Sequence, residues 1–136
     1  MRFPEGALKL RDLTPMLRTR DLRGSVDFYT TVLGFACDAH AADWGWASVH
    51  RDLVSIMFAL PNHHEPFDGP VFTGSLYINS DDVDALWERV KDTARVCYPI
   101  DDFDYGMREF AIYDNNGYLL QFGCEIPESL EAAEGA

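Results

Sequence analysis

The second half of this chain repeats the pattern of the first half. Residues 13–60 contain a strand, an amphipathic helix and then three strands, and residues 72–125 contain the same series. The first strand of one copy and the first strand of the other are separated by nearly the same number of residues as the two last strands are. Because a repeat of half a domain restricts the possible topologies strongly, the sequence predicts two copies of one βαβββ unit.

A hairpin closes the second copy. Residues 110–113 and 118–122 are apolar, and the sequence DNNG lies between them. Asn and Gly tolerate the positive φ angles of tight hairpin turns, so we predict two antiparallel strands. Gln121 is a polar residue inside the second of these strands. From the pattern alone it is a filler, a ligand-binding group or a replaced metal ligand.

Two amphipathic helices are predicted, one in each copy. In residues 21–33 and 81–91, apolar side chains recur at helical spacing. Each helix packs its apolar stripe on one face of a sheet, so Thr, Ser, Gln and Trp side chains are left on the other face. The predicted fold class is therefore α+β: two paired βαβββ modules form curved mixed sheets around a cavity, with the helices on the convex face.

The repeat also sets the domain boundaries. We predict an N-terminal leader at residues 1–12 and a single domain at 13–125, divided into modules 13–60 and 72–125. A loop rich in Pro and Gly separates the modules. Residues 126–136 are predicted to be a polar C-terminal tail.

Composition excludes several classes of protein. The net charge is −12, with 23 acidic and 11 basic residues, which argues against nucleic acid as a partner. An acidic surface serves solubility or attracts a cationic ligand, and the sequence leaves both readings open. There is no apolar run long enough to cross a bilayer and no signal peptide, so we expect a cytoplasmic protein without a membrane partner. Cys37, Cys97 and Cys124 form no CxxC pair and are expected to be reduced thiols.

Three segments resemble one known superfamily. They read MLRTRDLRGSVDFYTTVLGF at 16–35, SLYINSDDVDAL at 75–86 and YGMREFAIYDNNGYLLQF at 105–122. The combination resembles the vicinal oxygen chelate superfamily, also called the glyoxalase/bleomycin resistance/dioxygenase superfamily, over roughly residues 13–125. The resemblance implies paired βαβββ modules, and it implies a homodimer whose cavities form at or near the subunit interface.

The resemblance also implies where a metal would bind. Metal-dependent members carry ligands, usually His and Glu, on the first, fourth, fifth and eighth strands. Those positions here are Thr14, Met57, Ser75 and Gln121, with Ile56 as the alternative for the second. A hard divalent ion prefers carboxylate, imidazole or water, and four neutral groups cannot replace them. We therefore expect no metal, no cofactor and no catalytic residue, as in the metal-free branch of bleomycin resistance proteins.

The first hypothesis is a metal-free protein that binds a small molecule, with a cationic aromatic antibiotic as the ligand that the resemblance implies. Ligand contacts are predicted from side chains assigned to the cavity side of the sheets: Thr14, Trp46, Ser48, Met57, Ser75, Tyr77, Tyr105, Glu109 and Gln121. Stacking would supply affinity, and acidic groups would select positive charge. The alternative is a lyase or dioxygenase with a rearranged divalent-metal site, for which Glu109, Gln121 and His50 are the candidate ligands.

Overall fold

The structure is a computed structural model, and it describes residues 10–127. The first module contains β1 (Met16–Arg18), α1 (Leu22–Asp27) continued by a π-helical turn (Phe28–Val32), β2 (Ala36–Ala41), a 3-10 turn (Ala42–Trp44), β3 (Trp46–Arg51) and β4 (Val54–Ala59). The second module contains β5 (Leu76–Asn79), α2 (Val83–Val90), β6 (Arg95–Asp102), β7 (Met107–Tyr113) and β8 (Leu119–Glu125).

Each module forms a four-stranded mixed sheet. The strand orders are β1-β4-β3-β2 and β5-β8-β7-β6, so the two sheets have the same topology. In each sheet the first strand pairs in parallel with the last, and the other neighbours are antiparallel. The predicted α+β fold class with two paired βαβββ modules is confirmed.

Several boundaries differ from the predictions. The strands predicted from residues 13 and 72 begin later, at Met16 and Leu76. Pro15 lies directly before the first of these and has no N–H to donate, although its carbonyl accepts from the Met57 amide at 2.9 Å. Strand β6 extends to Asp102, so two of the acidic residues before Tyr105 belong to it. Parts of the predicted leader and tail, residues 1–9 and 128–136, lie outside the described residues.

The helical stripes pack as predicted. Asp21 caps α1 by accepting from the Gly24 amide, and Asp82 caps α2 by accepting from the Ala85 amide. The apolar stripe of the first helix is buried, and Tyr29 within it is fully enclosed. In α2, Trp87 packs against Phe110 with 5.2 Å between ring centroids. Within residues 10–127, neither helix is long and apolar enough to span a membrane.

Alternation along the strands gives each sheet two different faces. Phe58, Phe110 and Phe122 belong to the core that the helices cover. The opposite face of the second sheet carries Glu109 and Gln121, because neighbouring residues in a strand point to opposite sides. We call this surface the polar face of the second sheet.

A polar contact joins the modules at the β7–β8 turn. Asp114 is nearly buried, and its Oδ2 accepts from the hydroxyl of Tyr29 at 2.8 Å. Its Oδ1 accepts from the backbone N–H groups of Asn116, Gly117 and Tyr118. Gly117 has φ +100°, as the predicted turn requires. The hairpin that closes the second module therefore also attaches it to the first helix.

Candidate functional site

A buried carboxylate is the centre of the polar face. Glu109 on β7 is 2% exposed. Its Oε2 accepts from Tyr77 on β5 at 2.6 Å, and its Oε1 accepts from Tyr98 on β6 at 3.1 Å. Oε1 also accepts from Tyr105, which lies in the turn between β6 and β7. Three phenols from three segments thus converge on one side chain, and we call these four residues the Glu109 cluster.

Hydrogen bonds extend this cluster to β8. Gln121 donates through Nε2 to the hydroxyl of Tyr98 at 2.8 Å. The amide oxygen of Gln121 accepts from the hydroxyl of Ser75. A continuous chain therefore runs from Ser75 through Gln121 and Tyr98 to Glu109, which fixes the direction in which each polar group points.

Strand register brings these groups together. Glu109 lies opposite Gly123, and Tyr77 lies opposite Gln121 in the parallel pair of β5 and β8. Gly123 lies two residues after Gln121, so both occupy the polar face. A Cβ at position 123 would collide with the Tyr77 hydroxyl. The missing side chain is what allows the Tyr77 ring to cross β8 and reach Glu109.

We expect Gly123→Ala to break the bond between Tyr77 and Glu109. The new methyl group takes the space of the Tyr77 hydroxyl, so that ring must move and Glu109 loses one of its donors. The pKa of Glu109 should then rise toward its usual value, as carboxyl NMR titration can measure. Tyr77→Phe is the matched comparison, because it removes the same hydroxyl donor without adding a methyl group on β8. An unchanged Glu109 pKa in Gly123→Ala would contradict this role for the glycine.

Aromatic rings form a wall beside the carboxylate. Phe103 and Tyr105 are stacked, with centroids 5.6 Å apart and 14° between their planes. Tyr98 meets Phe103 edge-on at 5.6 Å. Tyr105 is 65% exposed and Tyr77 is 41% exposed, so the rings are open to solvent on one side. The cluster offers a negative charge surrounded by accessible π surface.

The cluster holds Glu109 ionised and its tyrosines neutral. Burial raises the pKa of Glu109, but the donated bonds from Tyr105, Tyr77 and Tyr98 outweigh it and hold this pKa below its ordinary value. Hydrogen bonding to Glu109, together with burial, raises the pKa of Tyr105 to about 12. Burial first and the Glu109 bond second raise the pKa of Tyr77 even further. None of the three phenols is a ready base near neutral pH.

The lowered pKa of Glu109 makes stability depend on pH. This group stabilises the fold fully above its unfolded pKa, and the contribution is lost as pH falls through the lower folded value. Asp114 acts in the opposite direction, because burial raises its pKa despite its hydrogen bonds. We therefore expect the advantage of the wild type over Glu109→Gln to be largest near neutral pH and to shrink below about pH 4. Urea unfolding of both proteins across this range measures the difference. An advantage that grows on acidification would contradict the assignment.

Five of the nine predicted contact residues meet in one place. Ser75, Tyr77, Tyr105, Glu109 and Gln121 all belong to the Glu109 cluster or to the chain of bonds that extends it. Tyr98 is part of the same network, and the sequence predictions missed it. The sequence signal that could have identified Tyr98 was a tyrosine within a predicted strand. However, a register shift between Val96 and Tyr98 obscures which face this residue occupies.

The other four predicted residues belong to the first module. Ser48 on β3 lies opposite Met57 on β4, and Trp46 lies two residues before Ser48, so the three share one face of the first sheet. Thr14 is half-buried and precedes β1. Among the described residues, no hydrogen bond links these four to the Glu109 cluster. The chain therefore carries the predicted contact residues as two sets, one in each module.

The residues at the superfamily's metal positions do not fit a divalent ion. The oxygen of Gln121 is the best donor among them, and it already accepts from Ser75. Met57 offers only a soft thioether on the other sheet. Within residues 10–127, no group of three or more His, Cys, Asp or Glu is placed to hold a metal. His50, a ligand of the alternative site, lies on the first sheet with its Nδ1 2.5 Å from Asp38 Oδ1.

Comparison with known families decides the membership of this chain. The model of the glyoxalase/bleomycin resistance protein/dioxygenase superfamily matches residues 13–122. The chain belongs to this superfamily. The resemblance noted in the three sequence segments is thereby confirmed. No protein of curated function matches the sequence.

Several solved structures share the fold of this chain. The bleomycin resistance determinant encoded on transposon Tn5 has a TM-score of 0.70 at 22% identity, covering 87% of this chain and 100% of that one. TioX from Micromonospora sp. ML1 has 0.68 at 20%, covering 85% and 99%. Lactoylglutathione lyase from Agrobacterium tumefaciens has 0.66 at 19%, covering 83% and 92%. A resistance protein and an enzyme are about equally similar to this chain. The fold therefore does not distinguish their functions, and the function has to be inferred from the residues of the site.

Proposed function

We propose that this superfamily member is a metal-free binding protein for a cationic aromatic small molecule, which it sequesters without reaction. The observation that carries the proposal is the environment of Glu109. This carboxylate is nearly inaccessible, and among residues 10–127 no lysine or arginine pairs with it. Three hydrogen bonds compensate the burial of this charge, and a bound cation would add the counter-charge that the described chain does not supply.

The hydrogen bonds prepare Glu109 for a cation. A carboxylate has about four lone-pair sites, and the phenols of Tyr77, Tyr98 and Tyr105 occupy three of them. One site is left for an N–H donor of the ligand. Because the phenols keep the carboxylate ionised near neutral pH and hold it in place, the ligand meets a fixed negative charge.

The surrounding rings favour a flat, positively charged ligand. A cation over the face of a Tyr or Phe ring gains about 0.5 to 2 kcal/mol, depending on how far it is desolvated. Tyr105 and Phe103 are stacked and could extend that stack by one more ring. Similarity to a bleomycin resistance determinant supports an antibiotic of bleomycin type as the ligand.

Glu109 is a poor general base, which supports binding over catalysis. A carboxyl group that removes a proton near neutral pH needs a raised pKa, whereas three donated hydrogen bonds lower the pKa of Glu109. The metal positions also lack suitable donors. On this proposal the protein acts as a stoichiometric sink, so the ligand leaves the site chemically unchanged.

The proposal includes a homodimer in the cytoplasm. The contact residues lie on two sheets, and a second copy can cover the Glu109 cluster with the face that carries Trp46, Ser48 and Met57. Exposed Met16, which lies beside Met57 in the sheet, supports a covering partner. The free cysteines of the described chain support a reducing compartment.

Calorimetric titration with metal-free bleomycin tests the binding proposal. We expect saturable binding with one drug per chain and a drug recovered unmodified. An anionic aromatic compound of similar size, such as a naphthalene disulfonate, should bind at least tenfold more weakly, because Glu109 repels it. Equal affinity for both compounds, or no heat with bleomycin at high micromolar concentration, would contradict the proposal. Stoichiometric Fe, Mn, Ni or Zn in protein purified without chelators would favour the enzyme alternative instead.

A further inference from the structure

A cleft of about 640 Å³ lies between the two modules and contains no residue of the Glu109 cluster. This volume falls within the range of small-molecule sites in proteins. The first module contributes Leu33, Phe35 and residues 51–54, which include the β3–β4 turn and the strand residue on each side of it. The second contributes the end of β5, the start of α2 and Phe122. The cleft is therefore a second concave site, separate from the polar face.

The cleft is open because the two halves of the repeat differ at this place. At the equivalent place in the other half, the β7–β8 turn packs onto the start of α1 and fills the space. Asp114 bonds Tyr29 there, and Asn115 and Asn116 both donate to Ser25. The β3–β4 turn has no such bonds to α2 among the described residues, and its Leu53 is fully exposed. One of two related positions is closed by polar side chains, and the other is not.

The helix facing the cleft carries apolar residues at the two positions that bond the turn in the other half. The caps Asp21 and Asp82 occupy equivalent positions, so Ser25 corresponds to Leu86 and Tyr29 corresponds to Val90. Where α1 presents hydroxyl groups to the turn, α2 presents apolar side chains. The floor of the cleft is correspondingly apolar, with Leu33, Phe35, Ile78, Leu86 and Phe122 among its lining residues.

Two arginines from different modules meet at one edge of this cleft. Arg51 donates through Nη1 to the Leu33 carbonyl at 2.6 Å, and Arg89 donates through Nε to the Val32 carbonyl at 2.9 Å. Arg51 Nη1 and Arg89 Nη2 each lie 3.2 Å from the point where a Cβ of Gly34 would stand. The carbonyls at this helix end offset only about half a charge.

Neither arginine has a carboxylate partner among residues 10–127, although acidic residues outnumber basic ones in the chain. Within the described part of the chain, both guanidinium groups also keep N–H donors without a hydrogen-bond partner, including Nη1 of Arg89. Paired guanidinium groups with free donors match the geometry of carboxylate recognition.

We propose that this cleft binds a small organic monocarboxylate, with Arg51 and Arg89 holding the carboxylate and the apolar floor holding a hydrocarbon or aromatic body. The acidic groups that line it, Asp52, Asp81 and Asp82, disfavour a ligand with further negative charge. Asp82 caps α2 by accepting from the Ala85 amide and does not pair with either arginine. Both arginines are therefore available to the carboxylate of the ligand. This site does not depend on what binds at Glu109.

Amide NMR with 4-phenylbutyrate as the probe tests this proposal on the whole chain. We expect saturable shifts at Gly34, in the β3–β4 turn and from Ser80 to Leu86. The neutral 4-phenylbutyramide has nearly the same shape and should bind at least about tenfold more weakly, because it lacks the charge. Equal affinity for the two probes, shifts confined to the Glu109 cluster, or no shifts up to about 10 mM probe would overturn the proposal.

Two sets of variants locate the binding groups. Arg51→Gln combined with Arg89→Gln should weaken 4-phenylbutyrate binding at least about tenfold. The control Arg23→Gln changes an exposed arginine of α1 and should leave the affinity unchanged. Ala85→Phe fills the cleft from an exposed helix position and leaves both arginines in the sequence, so it remains informative if the double variant does not fold. It should abolish binding. Wild-type affinity in folded Ala85→Phe or in the folded double variant would overturn the proposal.

Discussion

Asp114→Ala is expected to lower the free energy of unfolding by about 3 to 5 kcal/mol. The carboxylate accepts four hydrogen bonds, three from the turn backbone and one from Tyr29. The alanine variant leaves the enclosed Tyr29 hydroxyl without its acceptor and removes the groups that hold the turn. Because the turn also attaches the second module to α1, the loss affects both modules at once. Urea unfolding followed by circular dichroism measures it.

Two further variants separate the parts of this effect. Tyr29→Phe removes only the bond between Tyr29 and Asp114 and should cost about 1 to 2 kcal/mol. Asp104→Ala changes an exposed aspartate with no side-chain hydrogen bond among the described residues, and it should stay within about 0.5 kcal/mol of wild type. If Asp114→Ala were no more destabilising than Asp104→Ala, the turn would not be the attachment that its contacts indicate.

Glu109→Gln should weaken binding of a cationic ligand by at least about a hundredfold. The side chain keeps its shape and one acceptor oxygen, but the charge is gone. Its new NH₂ group would also face phenols that now donate. A loss of this size is typical when one partner of a desolvated charge pair is removed. Calorimetric titration with metal-free bleomycin measures the change.

The matched control is Asp102→Asn. It also removes one negative charge near the site, but Asp102 is exposed and paired with Arg108 at 2.7 Å. Its effect on affinity should be less than about threefold, because salt and water screen an exposed charge. Equal effects of the two substitutions would mean that overall negative charge attracts the ligand, and that Glu109 holds no special position.

The sequence predicted most of the architecture because periodicity and turn residues act locally. Local patterns predicted the apolar stripes of α1 and α2 and the DNNG turn, and comparison of the two halves predicted the repeat. The structure has all of them. The face assignments of Glu109 and Gln121 were also predictable, because alternation in a regular strand is strict.

The details of the site depend on contacts between distant segments, which one sequence does not reveal. Glu109 was predicted to point to the cavity side of the sheet, but its burial beneath phenols from β5, β6 and a turn was not predicted. Tyr98 was missed because a register shift in β6 interrupts the alternation. The importance of Gly123 depends on a ring that crosses from β5. The cleft at Arg51 and Arg89 arises only where the two modules meet.

The most direct test of whether the ligand binds at Glu109 is carboxyl ¹³C NMR of this residue during titration with metal-free bleomycin. If the ligand cation binds this carboxylate, its resonance should shift saturably, with the same dissociation constant as calorimetry. Its pKa should also fall further below the usual range in the complex, because the cation favours the ionised form. A Glu109 resonance that stays unchanged while the drug binds elsewhere would contradict the central claim.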